Sequence, residues 1–387
     1  MKATLLVTMS RLFYSGCIFL LNSFLARHLA PSDFGTYSAA LVYLNLAALF
    51  LIGGCNTSHI YFYKHGQDYF WRLIKIYTAP AVFFFIIGVF FWPAAFFAAG
   101  AAAIAGISIV NADAQARENH FEFSAQLCMF GLCVLGGMIA VELLAPHGPL
   151  KSIYLYALFC AIFYFALIVV RRCISRVTLP HQPTAKAFFG YGAKSLWLNV
   201  LGQILYMGDI ILLSVMLPSE DVAIYSVASM LAKSLWLIID SMGLTLFPKL
   251  INISSFEAKH IFKKGVIQAC LLCLGPAIIF LFFGRLLLRA LYSDNYLSAY
   301  EPTLVLIVAA FPLIFYKLGS RLAAAREDWR AVYISLGISI LANIVLNLLL
   351  VPIFGIIGSA LASLLSYSMC GLYLAWSLGV MPKVGYK

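Results

Sequence analysis

Long apolar runs of about twenty residues, parted by short polar breaks, fill almost the whole chain. In order they cover 4–26, 35–58, 73–91, 94–112, 124–145, 152–170, 190–217, 222–247, 262–283, 301–319, 331–351 and 355–379. Each run is close to the length an α-helix needs to cross a hydrocarbon core about 30 Å thick. The pattern predicts an all-α integral membrane protein with about 12 transmembrane helices. Only Trp92-Pro93 parts the third run from the fourth. Arg11 interrupts the first run and no small-residue cleavage site follows, so the first helix is expected to stay as an anchor.

Composition narrows the class. Of 387 residues, 63% are hydrophobic and 11% charged, and the mean hydropathy is +0.95. Soluble domains run at about 45–50% apolar and about 25% charged, so a soluble enzyme is excluded, as are disordered and collagen-like chains. Twelve spans take up roughly 240 residues, which leaves little for an extramembrane domain. The net charge is +11. Sorted by predicted side, 19 Lys and Arg fall in one set of loops and 4 in the other, with Arg11, Lys194 and Lys233 inside spans. The excess of cations marks the cytoplasmic side, so both termini are expected there, and the charge reads as orientation with no nucleic-acid partner. The nine Cys are scattered through apolar runs and one basic loop. They imply no disulfide framework, and Cys270-x-x-Cys273 reads as helix packing.

Three collinear echoes suggest an internal duplication. Asp33-x-x-x-Tyr37-Ser38-x-Ala40 recurs as Asp221-x-x-x-Tyr225-Ser226-x-Ala228. Pro80-Ala81-x-x-Phe84-x-x-x-Gly88 recurs as Pro276-Ala277-x-x-Phe280-x-x-x-Gly284, and Ala116-Arg117-Glu118 as Ala325-Arg326-Glu327. The expected organisation is a six-helix half at 1–171, a cytoplasmic linker at 172–189 and a second six-helix half at 190–387. Six is even, so the halves share one orientation, as two parallel repeats around a central cavity.

Catalytic signatures are missing. There is no G-x-x-x-x-G-K-[ST], no Asp-x-Asp, no H-E-x-x-H and no G-x-S-x-G. The seven His pair at no metal-ligand spacing. Transport without cofactor or metal is therefore favoured over catalysis. A membrane glycosyl polymerase or transferase would need a catalytic cluster or a larger external loop.

An ionisable residue within a span is costly and marks a functional site by default. Lys233 lies about 17 Å into its helix, on a stripe Ser226, Ser229, Lys233, Trp236, Asp240 whose 3–4 spacing keeps one helical face. Such a stripe faces an aqueous cavity or a packed polar seam. The repeat maps Lys233 onto Asn45, and Asp209 onto Asn22. Asn199, Gln203 and Tyr206 form a second stripe. Arg11 lies in the inner part of the first helix and Lys194 near the cytoplasmic end of the seventh. Two readings stand here: the charges pair and lock helices together, or the cations line a cavity that attracts an anion such as phosphate. Pro80, Pro276, Pro302 and Pro312 are tolerated kinks or hinges.

Arg11 … Asn22 … Leu25-Ala26-Arg27-x-Leu29-x-Pro31-x-Asp33-Phe34-Gly35-x-Tyr37 resembles the opening of polysaccharide-biosynthesis flippases of the multidrug/oligosaccharidyl-lipid/polysaccharide exporter superfamily. Asp209, Ala223-Ile224-Tyr225-Ser226 and Leu246-Phe247-Pro248-Lys249-Leu250 resemble that family's seventh and eighth helices. Val351-Pro352-x-Phe354-Gly355-Ile356-x-Gly358-Ser359-Ala360-x-Ala362 resembles the start of its twelfth. The resemblance implies a bacterial inner-membrane flippase. It would carry undecaprenyl-pyrophosphate-linked oligosaccharide repeat units by alternating access, for O-antigen, capsule or exopolysaccharide assembly. Membrane lipid surrounds it; H+ or Na+ are candidate coupling ions, and a polysaccharide polymerase and chain-length regulator candidate partners. The implied substrate contacts are Arg11, Asn22, Asn45, Lys194, Asn199, Gln203, Lys233 and Trp236, with Asp209 and Asp240 as ion-coupling candidates. Ala223 stands where relatives often carry Gly. Twelve spans, without the extra pair of the lipid II flippase branch, predict a different substrate from lipid II. The rival within the superfamily, an ion-coupled multidrug exporter, would favour an anionic, aromatic cavity.

Overall fold

The computed structural model describes residues 2–90, 94–144, 149–173, 181–246, 255–325 and 329–379. Twelve α-helices account for nearly all of them: α1 (Lys2–His28), α2 (Pro31–Ile52), α3 (Cys55–Lys64), α4 (Phe70–Phe90), α5 (Ala95–Ala116), α6 (His120–Leu144), α7 (Pro149–Cys173), α8 (Ala185–Met216), α9 (Ser219–Leu246), α10 (Ser255–Leu291), α11 (Tyr300–Ala325) and α12 (Trp329–Ser377). Among the described residues, ten helical stretches are long and apolar enough to cross a membrane. One of them, Arg330–Ser377, is two arms joined at Gly355, and α9 falls outside the ten while carrying Lys233 and Asp240. Counting both arms and α9 gives the twelve spans expected. Trp92-Pro93, the middle of the expected linker, Phe247-Pro248-Lys249-Leu250 and Arg326-Glu327 lie outside the described residues.

By compactness the chain divides into Met1–Leu29 with Thr36–Gln203, and Ala30–Gly35 with Ile204–Lys387. The first unit is built on α5. Its Ala and Gly residues are buried along almost the full length, and small side chains let neighbouring backbones approach where lipid supplies no hydrophobic drive. α3, α4, α6 and α7 pack against it, while Tyr14 of α1 stacks on Phe130 of α6 with centroids 5.8 Å apart.

The run expected as one span over 35–58 ends instead at Ile52. Gly53 and Gly54 take φ of 57° and 72°, a left-handed turn that only glycine adopts freely. The carbonyls released at Leu51 and Ile52 accept the Tyr77 hydroxyl at 3.2 and 3.1 Å, which satisfies these two acceptors within the apolar run. A Cβ on Gly54 would lie 2.0 Å from the Gly192 carbonyl oxygen. That close crossing of α3 and the start of α8 is tied by Ser58 Oγ donating to Phe188 O at 2.9 Å.

In the second unit α9, α10 and α12 pack on α11. The expected break between 351 and 355 is confirmed as a sharp kink. Gly355 has φ 56° and ψ −136°, a region essentially closed to other residues, and Pro352 beside it withholds an N–H from the helical ladder. Pro80, Pro276 and Pro312 lie inside α4, α10 and α11.

Candidate functional site

Asp209 of α8 is 4% exposed, and its hydrogen-bond donors among the described residues are neutral. Tyr225 Oη donates to Oδ2 at 2.9 Å, Asn343 Nδ2 to Oδ1 at 2.9 Å, and Ser363 Oγ to Oδ2. Tyr225 comes from α9, Asn343 from the first arm of α12 and Ser363 from the second, so one carboxylate gathers three helical segments. The net extends further, since Asn343 Nδ2 also reaches Ser366 Oγ at 3.3 Å and Asn347 Nδ2 donates to Asn343 O at 2.8 Å. Asn347 Oδ1 is buried and has no partner among the described residues. No cationic side chain among them pairs with Asp209. The result is a cluster of two hydroxyls and an amide around one carboxylate.

Asp240 has a different partner. Lys317 Nζ lies 2.7 Å from both of its carboxylate oxygens. Lys317 belongs to α11 and its side chain is 8% exposed, against 50% for Asp240. The charge count had placed Lys317 with the loop cations; it is a buried ammonium instead. Its Nζ stands 5.1 Å from the ring centroids of both Tyr206 and Trp236, and those two rings pack with centroids 4.7 Å apart. Lys233 Nζ lies 5.5 Å from the Trp236 ring. Two ammoniums therefore lie within 5.5 Å of the Trp236 ring centroid.

These partners bear on the two readings of the α9 stripe. Asp209 is held by hydroxyls and an amide, and Asp240 by Lys317. Lys233 makes no ion-pair contact among the described residues, although the Asp209 carboxylate acts on it electrostatically. Ser226 and Ser229, higher on the stripe, are 5% exposed each, while Lys233, Trp236 and Asp240 are only half-buried. The stripe begins as a packed seam and opens lower down.

The other expected residues belong to the first unit. Arg11 is exposed, with Cζ 5.8 Å from the Phe123 ring. Asn22 is buried and Asn45 half-buried. Both spend the side-chain N–H on the carbonyl one turn back, Ile18 O at 2.7 Å and Leu41 O at 2.8 Å. Asn199 is exposed, its Nδ2 3.5 Å from Ser195 Oγ, and Gln203 is half-buried. The Lys194 side chain lies outside what the structure describes.

The first unit also holds an ion cluster that the sequence did not announce. Asp113 of α5 is fully buried. Its Oδ2 takes Arg171 Nη2 at 2.6 Å and Arg117 Nε at 3.0 Å, and its Oδ1 faces His59 Nε2 at 3.1 Å. Glu122 joins through Arg171 Nη1 and Arg117 Nη2, both at 2.7 Å. Arg117 and Arg171 had been counted as orientation charges; they are also the counter-ions of Asp113.

The polar partners on α12 could have been found. Ser335, Ser339, Asn343 and Asn347 recur every four residues in an apolar helix, and all four are buried. Ser359, Ser363 and Ser366, spaced four and three residues apart, are buried on the second arm. In a span, a polar stripe at helical spacing turns toward protein.

Long apolar helices, the Gly355 kink and a buried carboxylate served by neutral donors define a multi-pass helical membrane protein. Its fold is that of transporters of the MOP superfamily. A solved structure of the lipid II flippase MurJ in an inward closed conformation matches with a TM-score of 0.77, at 14% identity, over 97% of this chain and 87% of that one. An inward-facing multidrug resistance MATE family transporter of the MOP superfamily matches at 0.72, with 10% identity, over 99% of each chain. Residues 24–301 match the family described as polysaccharide biosynthesis protein, and the chain belongs to that family. A Shigella flexneri protein named as an O-antigen transporter is 24% identical over 319 residues, covering 74% of this chain and 76% of its own length.

Proposed function

We propose that this protein is a flippase for undecaprenyl-pyrophosphate-linked oligosaccharide repeat units. It works in the bacterial inner membrane with both termini in the cytoplasm, and feeds O-antigen, capsule or exopolysaccharide assembly by alternating access. Family membership and the Shigella relative support the polysaccharide pathway. One observation carries the chemistry: the Lys233 ammonium, midway along α9, is half-buried beside Trp236 and makes no ion-pair contact with a described carboxylate. A charged side chain at the centre of a span costs about 2.5–3.5 kcal/mol. A pyrophosphate offers the missing counter-charge together with hydrogen-bond acceptors. Arg11, Asn22, Asn45, Lys194, Asn199, Gln203 and Trp236 complete the proposed substrate contacts.

Asp209 is the better of the two coupling candidates. With no cation in ion-pair contact among the described residues, it can take up H+ or Na+ and release it again. Asp240 already has the Lys317 ammonium. A multidrug exporter of cationic compounds is the poorer reading, because the Lys233 ammonium lies on the open part of the α9 stripe and Asp240 there is already paired with Lys317.

The test is repeat-unit export in cells, normalised to protein level. Lys233→Arg is expected to retain part of the activity, Lys233→Ala to lose it while still accumulating, and Lys233→Glu to be worst. Normal export by a well-expressed Lys233→Glu protein overturns the reading.

A further inference from the structure

Lys317 and Asp240 form a second polar station on the same aromatic pair, one that the reading above leaves unused. From Asp240 to Lys233 is two turns of α9, about 10 Å along the axis, and Trp236 sits between. The Lys317 ammonium is fixed by geometry. It lies over two rings at 5.1 Å each, an arrangement that favours a cation at a given place. What neutralises it is less firmly held. Asp240 puts both oxygens 2.7 Å from Nζ, yet half of its side chain is exposed. An anion that approaches the half-buried face of Trp236 meets a carboxylate it can displace and, behind it, an ammonium already in position.

We propose that Asp240 is a built-in stand-in for the substrate's pyrophosphate. It neutralises Lys317 while the site is empty and swings aside when the diphosphate arrives, so that Lys317 and then Lys233 receive the same anion beside Trp236. The inference rests on the pyrophosphate reading above and gives it an order: Lys317 first, Lys233 second. It also assigns Asp240 a role other than ion coupling. The internal carboxylate keeps the resting site from holding other anions, because any ligand must bind better than Asp240 does.

The physical signature is competition. Removing the stand-in strengthens binding, but only while Lys317 is present. Purified full-length protein in detergent is titrated calorimetrically with inorganic pyrophosphate, and separately with phosphatidylglycerol in mixed micelles to represent a lipid headgroup. Asp240→Asn is expected to bind pyrophosphate about tenfold more tightly than wild type, equivalent to about 1.4 kcal/mol. Lys317→Met is expected to bind it at least tenfold more weakly. The double variant is expected to match Lys317→Met, so that the gain from Asp240→Asn vanishes without the ammonium. Asp240→Ser replaces the asparagine variant if that protein does not accumulate. Export by Asp240→Asn is expected to fall, through slow release of the anion, although binding is tighter.

The failures separate. Wild-type protein that binds no pyrophosphate overturns the function reading and this inference together. Binding that is lost with Lys233→Ala but unchanged or weakened by Asp240→Asn and Asp240→Ser overturns the stand-in alone. So does a gain that persists in the double variant, or a gain shown by phosphatidylglycerol and not by pyrophosphate.

Discussion

Asp113 and Asp209 are both buried carboxylates in apolar helices, and their surroundings are opposite. Asp113 has two guanidiniums and an imidazole within 3.1 Å. Asp209 has a phenol, an amide and a hydroxyl. A carboxylate compensated by fixed cations stays ionised and joins the elements that carry them; here those are α3, α5 and α7, with α6 added through Glu122. A carboxylate compensated by neutral dipoles keeps an exchangeable charge, since a proton or small cation can enter without displacing a resident ion. The first arrangement suits a clasp and the second a site that changes state. Burial and residue type are shared, so the neighbours alone separate structure from function.

The sharpest way to break this contrast is to remove each carboxylate in turn. Asp113→Ala removes one of the two carboxylates that face Arg171, which is 3% exposed, and leaves only Glu122; breaking one side of a buried pair costs about 3–5 kcal/mol. The variant is expected to accumulate poorly and to melt far below wild type in detergent. Asp209→Asn keeps the shape and strands no cation. It is expected to accumulate near wild-type level yet lose export. Equal loss of protein in both variants would erase the distinction.

A second measurement asks whether Asp209 changes state. If it takes Na+, saturating salt at about 100 times Kd stabilises the protein by about 2.7 kcal/mol, read as a higher melting temperature with NaCl than with choline chloride. Asp209→Asn is expected to abolish that difference. If the bound ion is H+, the same dependence appears on lowering the pH and not with Na+. A melt indifferent to both in wild type removes Asp209 from coupling. A smaller effect is expected from Tyr225→Phe, which deletes one donor. It leaves the oxygen cage otherwise intact and costs about 1 kcal/mol, with the cation response weakened but present.

Much of this was legible in the sequence, for a physical reason. Lipid forces each span into a helix about twenty residues long, so the spans and the Gly355 break follow from hydropathy and one Pro-x-x-Gly. The stripe on α9 was legible because helical periodicity puts Lys233, Trp236 and Asp240 on one face. Partners were not legible. Nothing local says that Lys317, 77 residues from Asp240, reaches across from α11, or that Asn343 and Ser363 meet on Asp209. Periodicity fixes which face is polar, and packing fixes what it touches. The early end of the second span at Ile52 was missed because Gly53-Gly54 lies within an apolar run, and its cost is met by Tyr77 from another helix.

The smallest expected effect tests where the first unit's clasp ends. Beyond Arg117 and Glu122 the polar contacts continue to an exposed ion pair, Lys64 with Glu118. Glu118 closes α5 with φ 56°, and the next amide, Asn119 N–H, reaches back to Ala114 O at 2.9 Å, the arrangement in which helices usually place glycine. Its side chain and its backbone therefore act against each other. The neighbouring Lys64 ammonium lowers the Glu118 carboxyl below its ordinary pKa, so the pair's contribution is present above the unfolded value and is lost as pH falls through the folded one. Exposed pairs contribute little, whereas a left-handed non-glycine residue is strained. Glu118→Gly is thus expected to melt at or above wild type, with the largest advantage in acid, where wild type has lost the pair and kept the strain. Glu118→Ala keeps the strain without the pair and is expected to melt lowest of the three near neutral pH. If Glu118→Gly instead melts well below wild type at neutral pH, the exposed pair belongs to the clasp, and the boundary drawn between buried ion network and solvated rim is in the wrong place.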